Sequence, residues 1–279
     1  MKLALTELKP GMQLKTSVTL PSTSILEQGT ILSTADIIKL EISGIDFVDV
    51  CTGELANDLF NNLSSIVHNF EERIVTKYKT SFAYFLQALE TSYSVRLKLQ
   101  EIYEHSVNTY NHSVNTMLLS LAIGLWFEFT QEEMIMLGLG ALLHDIGKVF
   151  IPNTILDKDG KLNNEELSLM QSHTQIGYDY LKKCGFLEPI ALIALQHHER
   201  YDGTGYPRGI GKRAITQYSR IVHVADVFDA LCIKRSYKIP YLPSQALSAL
   251  CREKGTSFDP LTVEATIQSF HNLVLCYRG

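Results

Sequence analysis

From Gly53 onward the chain is patterned almost wholly at helical period, and its most apolar runs end in, or carry, histidine and aspartate. Leu59, Leu63, Ile66 and Phe70 show the three- and four-residue spacing of an amphipathic helix. Apolar stripes of that kind must pack on one another, so a mainly α fold is expected. The periodicity predicts helices near 82–107, 110–127, 130–146, 163–184, 187–200, 215–235, 243–254 and 260–275, with Gly and Pro in the gaps. The Met134 to Leu143 run leads directly into His144-Asp145-Ile146-Gly147-Lys148, which places an imidazole and a carboxylate at the floor of a core.

The first 52 residues read differently. Turn signals at Pro10-Gly11, Pro21-Ser22 and Gly29-Thr30 separate short runs of strand length. Ser33 is a good N-cap for a helix over 34–43 that Gly44 stops, and Asp46 to Val50 alternates as a half-buried strand does. A small α/β or β-rich module with a linker helix is expected over 1–78, and a helical domain over 79–279, with the polar stretch Lys77 to Ser81 as the boundary.

Composition narrows the chemistry. With 279 residues and 46% hydrophobic content there is ample material for a buried core. A net charge of -5 argues against a nucleic-acid polymer as partner, since phosphate backbones demand clustered Lys and Arg. The five cysteines form no C-x-x-C pair, so neither a disulfide framework nor a thiolate zinc site is expected. No signal peptide or membrane segment is read, because the longest apolar run, Met117 to Phe127, is too short to span a bilayer. The expected location is the cytoplasm.

Imidazole with a bridging-capable carboxylate is the ligand set of a hydrolytic transition-metal centre. Taken alone, His144-Asp145 fits a metal site and a satisfied helix end about equally. Consecutive imidazoles at His197-His198 are expensive to bury without partners, and ligation supplies them. His173 on an apolar helix is as consistent with a hydrogen-bonded core group. Asp226 lies within Ile221 to Phe228, where a bare carboxylate needs a cation or an ion pair. His105 and His112 form a seven-residue echo that shares one face if the helix runs unbroken.

These blocks, in order, resemble an HD-GYP protein, the subgroup of the HD phosphohydrolase superfamily that hydrolyses cyclic di-GMP. The resemblance covers about 110–260. It rests on Tyr110 to Asn115, His144 to Lys148, Ile151-Pro152, His173 with Gly177, His197-His198-Glu199, Asp202 to Pro207, Ala225 to Leu231 and Phe258-Asp259-Pro260. It implies an all-helical HD-type catalytic domain with metal ligands at His112, His144, Asp145, His173, His197, His198 and Asp226, Asp145 bridging. Some relatives hold a third metal on a carboxylate one turn before the first histidine. Asn108 stands there, so two divalent ions, iron or manganese, are expected.

The implied reaction is metal-activated hydrolysis of cyclic di-GMP to pGpG and GMP, with Lys148 neutralising phosphate charge. The resemblance places Arg235 and Lys238, three apart on a helix expected to run from Asp226, on the substrate; Tyr206 can stack on a base or simply shape a turn. The glycine-rich segment Glu199 to Ile215 reads as a flexible lip. Two rivals remain at this level: a weakly catalytic cyclic-dinucleotide sensor acting through protein partners, and a phosphohydrolase acting on cyclic GMP-AMP or another nucleotide. The N-terminal segment, similar to a module often fused ahead of such domains, is expected to mediate homodimer or partner contacts or to sense a ligand.

Overall fold

The computed structural model describes residues 2–8, 12–20, 25–28, 30, 32–51, 59, 61, 63–66, 79–233 and 240–270. Its N-terminal part holds strands β1 (Lys2–Ala4), β2 (Gln13–Leu14), β3 (Val18–Thr19), β4 (Ile25–Leu26) and β5 (Phe47–Cys51) with helix α1 (Thr34–Ile42). β5 lies between β1 and β2, antiparallel to both, and β3 pairs with β4. Ser33 caps α1 as expected, with its hydroxyl accepting from the Asp36 N–H and the Asp36 carboxylate accepting in return. Leu3, Leu14, Leu32, Leu40, Val48 and Val50 form a small core of their own.

The larger core is helical. Its elements are α2 (Lys79–Thr91), α3 (Tyr93–His105), α4 (Val107–Gly124), α5 (Gln131–Leu143), α6 (Asn153–Leu156), α7 (Asn164–Gln171), α8 (His173–Lys183), α9 (Glu188–Gln196), α10 (Gln217–Cys232), α11 (Pro243–Arg252) and α12 (Pro260–Gln268). The mainly α expectation is borne out. Helix α5 shows why these residues form a helix: Thr130 and Glu133 make a capping box, and Leu137, Leu142 and Leu143 are fully buried. Each such leucine contributes about 1.5–3 kcal/mol of burial. Helix α4 packs against α5 and α10, and α9 packs against α5 and α8, so the five ligand-bearing segments converge. Leu59 and Leu63 also join this core.

Several expected boundaries move. The 82–107 helix is two, because Ser92 leaves helical geometry and caps α3 by accepting from the Val95 N–H. Ser106, extended at φ -157 and ψ 111, separates α3 from α4, so the helix linking His105 to His112 is broken. The 163–184 helix divides at Ser172, which puts His173 at the start of α8. Helix α5 ends at Leu143, followed by a 3-10 turn over Ile146–Phe150. Asp226 sits inside α10, not at its start, and α10 ends at Cys232 with Ile233 extended; the expected continuation to Lys238 lies outside the described residues. Most of the expected linker helix, including Phe70, lies outside the described residues, as do Lys77 and Arg235 and Lys238.

Candidate metal centre

Asp145 is the hub. It follows the C-cap of α5 and is 1% exposed, with its two carboxylate oxygens facing different partners. Oδ1 lies 3.3 Å from His173 Nε2 and 3.7 Å from His197 Nε2. Oδ2 lies 3.3 Å from His144 Nε2 and 3.9 Å from His112 Nε2, and accepts from Lys148 Nζ at 2.5 Å. Asp226 completes the group: its Oδ1 lies 3.0 Å from His112 Nε2, and its Oδ2 lies 3.8 Å from His198 Nδ1. The structure thus brings together all seven residues that the sequence nominated as ligands. His105, the echo, is not among them.

The backbone dictates which nitrogens are available. His144 Nδ1 faces the Ala141 carbonyl at 2.7 Å, His173 Nδ1 the Met170 carbonyl at 2.6 Å, and His197 Nδ1 the Ala194 carbonyl at 2.9 Å. A carbonyl only accepts, so each Nδ1 carries the proton and each Nε2 turns a lone pair inward. His173 Nε2 and His197 Nε2 then confront each other at 3.3 Å with no proton to share. His144 Nε2 and Asp145 Oδ1 are buried without a hydrogen-bond partner. Converging lone pairs and an orphaned carboxylate oxygen are costly in an apolar interior unless a cation sits among them. The donor set therefore fits a divalent metal. Two groups have all their ligand atoms within 4.8 Å of one another: Asp145 with His173, His197 and His198, and Asp145 with His112 and His144.

Electrostatics follow burial and charge. Burial pushes His173 down to about 4 and His198 down to about 3, and holds His197 well below the ordinary imidazole range. Burial works against ionisation of Asp145, yet Lys148 and the surrounding imidazoles hold its carboxyl well below the usual range. His112 goes the other way: burial opposes its charge, but Asp226 and Asp229 push it up to about 10.

Three residues without an assigned role in the sequence reading shape the centre. Asp229, one turn after Asp226 and fully buried, binds His112 Nδ1 at 2.6 Å. Its i, i+3 spacing from Asp226 on an apolar helix was the available signal. His223 Nδ1 donates to the His197 carbonyl at 2.7 Å. Glu199, 1% exposed, accepts the Arg208 and Ile210 N–H groups at 2.7 and 3.1 Å.

Glu199 corrects one expectation. The glycine-rich segment after it is tied down rather than loose. Tyr206 N–H donates to the His198 carbonyl, Lys212 N–H to the Tyr201 carbonyl, and Tyr201 and Asp202 N–H to the Ser257 and Thr256 carbonyls. Gly205 packs so closely on the His198–Arg200 backbone that a Cβ would collide with it. The turn holds the Tyr206 ring stacked on His198, with centroids 4.7 Å apart.

Comparison with known proteins places the chain in a family. An HD domain model matches residues 95–261. The chain belongs to the HD-domain family, and its His-Asp and Gly-Tyr-Pro blocks are those of the HD-GYP subgroup. It is 45% identical over 141 residues, 50% of this chain, to the cyclic di-GMP phosphodiesterase response regulator RpfG of Xanthomonas campestris, and covers 37% of it. It is 33% identical over 231 residues, 81% of this chain, to a cyclic di-GMP phosphodiesterase of Thermotoga maritima, and covers 63% of it. A 3'3'-cGAMP-specific phosphodiesterase of Vibrio cholerae is 38% identical over 150 residues, 53% of this chain, with 29% of its length covered. The chain thus spans between about a third and two thirds of the length of these relatives. A solved HDG"Y"P protein of Bdellovibrio bacteriovorus matches all of this chain and 99% of its own at TM-score 0.50 and 18% identity, which shows the fold. Among the described residues no helix is long and apolar enough to cross a membrane.

Proposed function

We propose that this chain is a metal-dependent phosphodiesterase that hydrolyses cyclic di-GMP to pGpG and GMP. The observation that carries the reading is Asp145, whose two oxygens each face a separate set of inward-pointing imidazole nitrogens. That division supports two cations sharing one carboxylate: His173, His197 and His198 on one side, His112 and His144 on the other, with Asp226 between His112 and His198. Mixed imidazole and carboxylate donors suit iron or manganese. Bound there, such a pair supplies Lewis-acid activation of the phosphodiester and of the attacking water.

The protein's own groups complete the chemistry. Lys148, partly exposed beside Asp145, brings a positive charge to the mouth of the centre, where a phosphate gains negative charge during hydrolysis. Tyr206 offers an aromatic face next to His198, suited to a flat base. Arg235 and Lys238, outside the described residues, are proposed to contact the dinucleotide. Residues 1–78 are proposed as an accessory module. The names of the relatives support cyclic di-GMP as substrate.

The test is anaerobic loading with iron or manganese, metal counting, and turnover of cyclic di-GMP beside cyclic GMP-AMP. Two metals per chain and preferential release of pGpG are expected. Asp145→Ala should lose both metals and turnover, and Arg235→Ala should weaken dinucleotide binding with metal content intact. Retention of both metals by Asp145→Ala, or preferential turnover of cyclic GMP-AMP, would overturn the corresponding part.

A further inference from the structure

The 3-10 turn Ile146–Phe150 that carries Lys148 is held at three points, and one of them lies well outside the metal centre. At its middle the ammonium of Lys148 reaches back to Asp145. One residue earlier Gly147 lies flush on α8, where a Cβ would collide with the His173 carbonyl oxygen. At its end the Phe150 ring meets Tyr180 of α8 edge-on, with centroids 4.9 Å apart at 78°. Phe150 is 46% exposed, so this contact is a local anchor and not a filling of the core.

Tyr180 is fixed in turn. Its hydroxyl accepts from Lys98 Nζ at 2.6 Å and donates to Glu101 Oε2 at 2.7 Å, while Lys98 Nζ donates to Glu101 Oε1 at 2.7 Å. The three groups close a ring between α3 and α8. Lys98 is 0% exposed, and a fully buried ammonium is retained only where its partners are held in good geometry. None of the three belongs to the metal centre, and the turn they support leads straight to Lys148.

We propose that Tyr180, clamped by Lys98 and Glu101, is a positioning residue that fixes the Lys148 ammonium on Asp145 through Phe150. The placement stands on geometry alone; its effect on turnover rests on the hydrolase reading above. Removing Lys98 would leave the partly buried Glu101 without the countercharge it pairs with, so Tyr180→Phe is the cleaner variant. Phe150→Ala is a second, because an exposed ring can be truncated without opening the core.

Two readouts separate the claims. The first is the rate at which an amine-reactive acylating reagent modifies Lys148, followed by peptide mass spectrometry. Both variants should speed it severalfold, and unchanged rates in both would overturn the proposal. The second is turnover of cyclic di-GMP by the manganese-loaded protein. Each variant should lower kcat about tenfold, the scale of a sub-ångström misplacement, with KM and metal content unchanged. In a Lys148→Met background neither should lower it further. An equal fractional loss in that background would mark a merely structural role and overturn positioning. Absence of turnover on any cyclic dinucleotide would sink the hydrolase reading instead, and the acylation rates would then decide the placement by themselves.

Discussion

His112 is held by Asp229 at 2.6 Å through Nδ1 while its Nε2 faces Asp226 at 3.0 Å, so one imidazole spans two carboxylates a helical turn apart on α10. The outer carboxylate orients the ring and makes Nε2 a better donor to a cation. Asp229→Asn should therefore lower metal affinity about 10- to 100-fold without disturbing the fold. Competition against a fluorescent chelator measures it. Wild-type affinity in the variant would show that Asp229 serves packing alone.

His105 and His112 test where the centre stops. Ser106 breaks the helix between them, and His105 lies outside both ligand groups. His105→Ala should keep two metals per chain, and His112→Ala should lose at least one. Equal metal loss in both, by elemental analysis, would reverse the choice between them.

Metal-stripped protein should be most stable near pH 6.5. His173, down at about 4, and His198, down at about 3, lie below the ordinary 6.5 because burial outweighs the pull of Asp145 and Asp226. The unfolded chain then binds protons first, so the stability held by these neutral rings is present above about 6.5 and lost as pH falls towards 4 and 3. His112 has the opposite sign. Burial opposes its charge, but Asp226 and Asp229 raise it to about 10, so its contribution is complete below 6.5 and lost as pH rises through 10. Melting temperatures from pH 4 to 10 in chelator should pass through a maximum; a steady rise to pH 10 would contradict a charged His112.

The same histidine predicts proton release. At pH 8 the metal-free ring is protonated on both nitrogens, bridging Asp229 and Asp226, and ligation requires the Nε2 lone pair. Metal uptake should expel about one proton per chain from this site. Titration calorimetry in buffers of different ionisation enthalpy reads the number, and a value of zero would rule the mechanism out.

Glu199→Ala should loosen the turn that carries Tyr206, because two backbone N–H groups lose their acceptor. These bonds are only partly buried, so water can replace part of the loss and the cost stays below the about 1–3 kcal/mol of a fully buried unpaired donor. A lower melting temperature with a raised KM and unchanged metal content is expected. Unchanged KM would show that Tyr206 is not part of the substrate surface.

Much of this protein was legible in one dimension. Helical period over apolar residues decided the mainly α class, and Ser33 with Gly44 marked α1, because these are local properties of spacing and capping. His197-His198 and Asp226 were visible as polar groups that an apolar helix would not carry without a partner, His144-Asp145 as an even choice between metal and helix end, and His112 and His173 joined them only through the ordered motif blocks. Local signals failed at Ser92 and Ser106, where hydrophobic spacing carried on although the backbone became extended. They also failed for the glycine-rich segment, whose composition suggested mobility until Glu199 supplied acceptors for its N–H groups.

What only the tertiary structure decided is which atom faces which. The Nδ1 protons of His144, His173 and His197 are committed by carbonyls in their own helical turns, yet their Nε2 lone pairs converge because α5, α8 and α9 pack together. Asp229 reaches His112 across 117 positions of sequence, and Tyr180 reaches Lys98 across 82. Contacts of that span depend on helix packing angles and on the length of each side chain, quantities no residue encodes by itself; the residue types set which interactions can form, and the fold selects which pairs come within 3 Å.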